Sequence, residues 1–165
     1  MKITALQEYG VRCIYQLALQ NNDHPQTTSS IAKKEGLSRD YVEKILFQLR
    51  KSDIVHSVRG IHGGYVLSRA SKDISLGEIV QALSEKPVRS DHVKEDLCKQ
   101  FPGKDKQCVH LGGCVIRSVW TLVITQMYEI LNQFPLSFLL GSEAEVAQRL
   151  KDALTRSSHK HLVKK

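Results

Sequence analysis

The segment TTSSIAKKEGLSRDYVEKILFQLRKSDIV, residues 27–55, followed by RGIHGG at 59–64, constrains the fold more than any other part of the chain. A Thr/Ser run offers side-chain caps to a short helix whose apolar residues are Ile31 and Ala32. Gly36 supplies the left-handed turn that ends it. Ser38 caps a second helix, in which Tyr41, Val42, Ile45, Leu46 and Leu49 recur at the spacing of one buried stripe. Two helices joined by a four-residue, Gly-containing turn form a helix-turn-helix. Ile54–Val58 and Tyr65–Leu67 read as two short strands. The Arg59–Gly64 tip between them holds three glycines and a basic residue, so it can turn tightly and approach another backbone closely. The fold predicted is mainly α with a small β-wing: a winged helix-turn-helix domain plus a long dimerisation helix.

Charge gives this motif a direction. The 165 residues carry 24 Lys/Arg and 17 Asp/Glu, a net +7. Residues 33–69 hold eight basic and four acidic residues, and the last ten residues add Arg156, Lys160, Lys164 and Lys165 with no acid. Two basic zones of +4 each on a body of −1 predict a polyanionic partner. Because one zone coincides with the helix-turn-helix and wing, double-stranded DNA is the expected partner. An αα-hairpin with a merely structural β-hairpin would leave that coincidence unexplained.

Around this unit, Ile3, Leu6, Val11, Ile14, Leu17 and Ala18 predict a helix from about Thr4 to Gln20, and NNDHPQ at 21–26 a loop. Ser75 caps a helix to about Leu83, with Glu78 at capping-box spacing. From Pro87 the chain is polar and irregular for about 25 residues. Cys114 then borders a helix running to about Phe134, ~30 Å long. Its apolar residues, among them Val115, Ile116, Val119, Trp120, Leu122 and Val123, cover more than one face, and a second copy of the chain is the simplest cover. Ser142 caps a last helix. The division expected is 1–86 DNA-binding domain, 87–113 cysteine-containing loop, 114–155 dimerisation and C-terminal helices, and 156–165 a disordered basic tail. With no apolar run of signal-peptide length, and with Arg117, Gln126 and Glu129 interrupting the longest apolar stretch, neither secretion nor membrane insertion is expected, and a cytoplasmic location follows.

Cys98, Cys108 and Cys114 are spaced C-x9-C-x5-C. Three soft thiols within one loop of a cytoplasmic protein point to a metal or iron–sulfur site. Zinc ribbons would show C-x2-4-C pairs, which are absent. Cys13 lies beside the Ile14/Leu17 stripe and reads as core.

The run SRDYVEKILFQLRKSDIVHSVRGIHGGYVLSR, then SLGEIVQAL, a three-cysteine loop and a long helix, resembles the Rrf-two family of bacterial winged-helix transcription regulators over about residues 1–134. The three cysteines narrow the likeness to its iron–sulfur (IscR-, NsrR- and RirA-like) branch. The resemblance implies a homodimer, with the long helix crossing between subunits and a cluster held in the loop before it. Where the IscR-type pattern has a histidine ligand three residues after the last cysteine, this chain has Arg117, which offers no lone pair. The cluster that the resemblance implies is, without that histidine, expected to be [4Fe–4S] in preference to [2Fe–2S]. Glu8 stands where the NsrR-like pattern has a carboxylate on the first helix, and is the candidate fourth ligand, reaching over from the partner subunit. An ordinary Glu8–Arg12 surface pair is the competing reading, with His92, His110, Cys13 or a small molecule as other donors.

The function expected is a dimeric transcription regulator whose DNA affinity follows the state of a cysteine-ligated cluster sensing nitric oxide, redox or iron–sulfur status. Ser38, Arg39, Asp40, Tyr41, Glu43 and Lys44 would lie nearest the major groove, with Tyr41 open to a core role instead. Arg50 and Lys51 would meet phosphates, and Arg59 and His62 the minor groove or its phosphates, with His62 open instead to being a solvent-exposed turn residue. The first rival is a zinc- or thiol-redox regulator without a cluster, in which His92 or His110 completes a Cys3His site. A thiol-chemistry enzyme is disfavoured by the absence of CxxC and of a glycine-rich cofactor loop. A protein–protein module is disfavoured by the basic wing.

Overall fold

The computed structural model describes residues 3–20, 24–84, 104, 110 and 113–162, with side chains up to 153. Helix α1 (Ala5–Ala18) starts at a capping box: Gln7 N donates to Thr4 Oγ1 at 3.2 Å and Thr4 N to Gln7 Oε1 at 3.0 Å. Thr27 caps α2 (Thr28–Glu35), which ends on Gly36 at φ 65°, the left-handed conformation that only glycine adopts without strain. Ser38 caps α3 (Arg39–Lys51) by accepting from Tyr41 N at 3.3 Å. The turn between α2 and α3 is Gly36–Ser38, one residue tighter than the spacing predicted.

Strands β1 (Val55–Val58) and β2 (Gly64–Leu67) pair antiparallel, with Val55 opposite Leu67 and Val58 opposite Gly64. A third partner completes the wing. Gln26, predicted as loop, bridges Tyr65 through Gln26 N to Tyr65 O at 3.0 Å and Tyr65 N to Gln26 O at 2.8 Å. This explains the second glycine of the GG pair, because a Cβ on Gly64 would lie 2.5 Å from Gln26 O.

The helical stripes meet in one core: Cys13, Ile14 and Leu17 of α1, Ile31 of α2, and Val42, Ile45, Leu46 and Leu49 of α3, all at most 2% exposed. Helix α4 (Leu76–Ala82), capped by Ser75 and Glu78 as predicted, lies against α1, with Gly10 under Leu83 and Gln7 Nε2 donating to Val80 O and Ser84 Oγ. Helix α5 (Val115–Asn132) follows, N-capped by Cys114.

Past Pro135 the chain does not stay with the long helix. Leu76 N donates to Phe134 O at 2.9 Å and Leu136 N to Ile74 O at 2.7 Å, and Leu136 is fully buried. The 114–155 unit expected from sequence thus sends Leu136, with Leu139 and Leu140 beside it, back into the winged-helix core. Helix α6 (Glu143–Leu162) is boxed by Ser142 and Glu145, and it runs through most of the 156–165 tail expected to be disordered. The tail contains neither Gly nor Pro to stop it.

Arg69, counted by sequence among the basic residues of the motif, is instead a clamp. Its Nε donates to Asp73 O at 2.9 Å, its Nη1 to Asp53 O at 3.1 Å, and its Nη2 pairs with Glu78. It thereby fixes the turn into β1, where Asp53 adopts φ 55°, against α4. Arg69→Ala is expected to lower stability by about 1–3 kcal/mol in urea unfolding. Arg69→Lys should not restore it, because one ammonium cannot reproduce a three-way planar fork. A melt equal to wild type would show the clamp to be idle.

Candidate nucleic-acid interface and cysteine site

Helix α3 turns about 100° per residue. Its buried residues therefore define one side, and Arg39, Asp40, Glu43, Lys44, Phe47, Arg50 and Lys51 the exposed other. The capping residue Ser38 is exposed as well. Tyr41 is less exposed than the other members of the predicted DNA-contacting set. Its ring packs edge-on to Tyr9 at 5.9 Å, half-buried against the core, the alternative role open to it from sequence. Arg59 and His62 stand exposed on the wing, beside an Ile61 that is 99% exposed. Lys34 is partly engaged: its Nζ donates to Oε1 of the buried Gln26 at 2.9 Å.

Sequence reasoning passed over Phe47. It lies outside the Val42/Ile45/Leu49 stripe and is 44% exposed amid charges. The same spacing rule that picks out the stripe would have found it.

The Glu8–Arg12 pair does not form. Arg12 Nε instead donates to Glu35 Oε2 at 2.7 Å, and Gln16 Nε2 donates to Glu35 Oε1 at 2.5 Å. The Glu35 carboxylate, buried between α1 and α2, holds the Arg12 guanidinium above its ordinary value, first through that hydrogen bond. Glu8 is left exposed, with no ion pair among the described residues. Cys13 is fully buried, and desolvation pushes its thiol up to about 12, in keeping with the core role read from sequence. Cys98, Cys108 and His92 lie outside the described residues. His110 is exposed, and Cys114 is half-buried at the start of α5, where its Sγ accepts from Arg117 N at 3.3 Å.

Helix α5 has no buried residue. Val115 is 79% exposed, Ile116 64%, Leu122 61% and Trp120 55%. Its far end is tied down: Ser75 Oγ donates to Asn132 Oδ1 at 3.1 Å, and a Cβ on Gly77 would lie 2.0 Å from that oxygen. No helix among the described residues is long and apolar enough to cross a membrane.

A capped recognition helix with an exposed basic face, beside a three-partner wing, defines a winged helix-turn-helix regulator. The chain matches the Rrf2 family, described as iron-dependent transcriptional regulators, over residues 3–142. It is 32% identical over 140 residues to the protein rrf2 of Nitratidesulfovibrio vulgaris, covering 85% of this chain and 87% of that one. Among solved structures it resembles IscR of T. potens (31% identity, TM-score 0.62, 93% of this chain and 88% of that one). It also resembles CymR, the global cysteine regulator of B. subtilis (26% identity, TM-score 0.63, 83% and 94%). The chain belongs to the Rrf2 family of winged-helix transcription regulators and is a DNA-binding regulator rather than an enzyme.

Proposed function

We propose that this protein is a homodimeric regulator whose affinity for a DNA operator is set by an iron–sulfur cluster bound through Cys98, Cys108 and Cys114. The observation that carries the reading is the construction of α5. A thiol sits at its N-cap, a bare apolar surface runs along its length, and its C-terminal end is fastened to the winged-helix core. The donor set fits the group: three soft thiols suit iron, and Cys114 Sγ, accepting from Arg117 N, stands at the very start of α5. When bound, a cluster supplies a redox-active centre that also reacts with nitric oxide.

The rest belongs to the protein. The apolar face of α5 fits a second copy of itself, which sets two recognition helices at a fixed distance. A change at Cys114 displaces the start of α5, and the Phe134–Leu76 and Leu136–Ile74 pairing passes the displacement to the segment holding α4. Helix α4 touches α1 through Gly10 and Leu83, and α1 packs on α3. Such a route regulates only if the two states differ in DNA affinity. Helix α3 enters the major groove with Ser38, Arg39, Asp40, Glu43 and Lys44 foremost, Arg50 and Lys51 on phosphates, and Arg59 and His62 at the minor groove. Glu8 of the partner subunit completes the cluster, a role supported by its exposed carboxylate, since Arg12 makes its close ion pair with Glu35. The regulator acts in the cytoplasm.

Purification without oxygen, followed by iron and sulfide analysis, an absorption spectrum and sedimentation, tests the proposal. A brown dimer carrying both elements is expected, and [4Fe–4S] stoichiometry in preference to [2Fe–2S]. Glu8→Ala should change the spectrum or shorten its lifetime towards oxygen and nitric oxide, while DNA binding by the apo form persists. A variant matching wild type in both removes Glu8 from the ligand set. The second reading is a zinc- or thiol-redox regulator that uses the same cysteines without iron. A colourless protein containing zinc, or active without any metal, would establish it.

A further inference from the structure

Phe47 is the outlier of the recognition face. Large apolar side chains exposed on a charged surface ask for a partner, and this one is 44% exposed although the core lies directly behind its helix. At about 100° per residue, Phe47, Asp40 and Glu43 fall within about 60° of one another, nearly opposite the buried stripe. The ring is also held. Lys51 Nζ lies 4.7 Å from its centroid and Arg50 Cζ 5.5 Å, so two cations from the next turn bracket it. A phenyl ring so placed neither donates nor accepts a hydrogen bond. In the major groove the thymine C5-methyl is the apolar group on the base edges, and phosphates on the rim are what the bracketing cations would meet.

We infer that Phe47 is a specificity-determining residue that packs against a thymine methyl in each half-site, with Arg50 and Lys51 on the adjacent phosphates. This rests on the DNA-binding reading of α3 given above. The chemistry separates reading from positioning. Losing the ring removes discrimination at one base pair, whereas losing a cation weakens binding to every sequence alike.

The test begins with sequences selected from a random duplex library by the full-length protein and by Phe47→Ala. The wild type should enrich thymine at a symmetric position that Phe47→Ala leaves unselected, while both enrich the rest of the motif. Replacing that thymine by deoxyuridine removes only the methyl and should weaken wild-type binding about four-fold per half-site. Phe47→Ala should bind the two duplexes equally, and Phe47→Leu should keep part of the preference. If Phe47 merely braces Arg50 and Lys51, Phe47→Ala will lose affinity equally for thymine and uracil duplexes, and that result overturns the assignment. A shared motif with no Phe47-dependent position overturns it too. A selection that enriches no sequence overturns the DNA-binding reading and this inference together.

Discussion

Single replacement of Cys98, Cys108 or Cys114 by alanine is expected to abolish the visible absorption of the anaerobically purified protein, while helical content and dimer mass stay those of wild type. In the proposed site the three thiols are the soft donors, and losing one would leave an iron without its thiolate. Cys114 needs a separate control, because it also caps α5 by accepting from Arg117 N at 3.3 Å. Cys114→Ser keeps an N-capping oxygen and removes the thiolate, so it should be as colourless as Cys114→Ala while retaining the helix start. Cys13→Ala should keep full absorption. Its thiol, pushed up to about 12 by burial, is protonated and enclosed in the core, and its removal costs roughly 1 kcal/mol in urea unfolding. Colour lost in the Cys13 variant and kept in the other three would reverse the ligand assignment.

Local chemistry explains what could be read without coordinates. The Thr27, Ser38 and Ser75 caps, the Gly36 terminator and the α3 stripe each depend on residues within a turn or two, so sequence spacing suffices to find them. Errors arose where a distant partner outbid a near one. Arg12 has Glu8 one turn away, yet it pairs with Glu35 on another helix, where Gln16 and burial make the carboxylate a better-placed acceptor. Gln26 has no strand signal, since one residue bridging Tyr65 is a pairing fixed by the wing. Arg69 reads as one more cation until the carbonyls of Asp53 and Asp73 converge on it. Pro135 correctly ends the long helix, but a local signal cannot reveal that Leu136 next enters the core. The three-cysteine site rests on composition and spacing, because of its residues Cys114 alone falls among the described ones.

Operator affinity is expected to fall steeply with salt. Lys33, Arg39, Lys44, Arg50, Lys51 and Arg59 are exposed on or beside the helix-turn-helix and wing, whereas Arg69 is committed to its clamp and Lys34 is partly committed to Gln26. If four to six of the exposed cations per subunit meet phosphates, the dimer neutralises about eight to twelve charges and releases their counterions. The log–log slope of affinity against salt is then on the order of −7 to −11, a loss of about ten-thousand-fold or more between 50 and 200 mM. Arg59→Ala, which removes one wing cation from each subunit, should reduce the slope by about 2 and weaken binding at every sequence. It should not disturb folding, because Arg59 is exposed at the wing tip and makes no ion pair among the described residues. Fluorescence anisotropy with a labelled operator across a salt series measures both. An Arg59→Ala protein with unchanged slope and affinity would take the wing off the DNA, and a wild-type slope near −2 would leave too few phosphate contacts for the face formed by α3 and the wing.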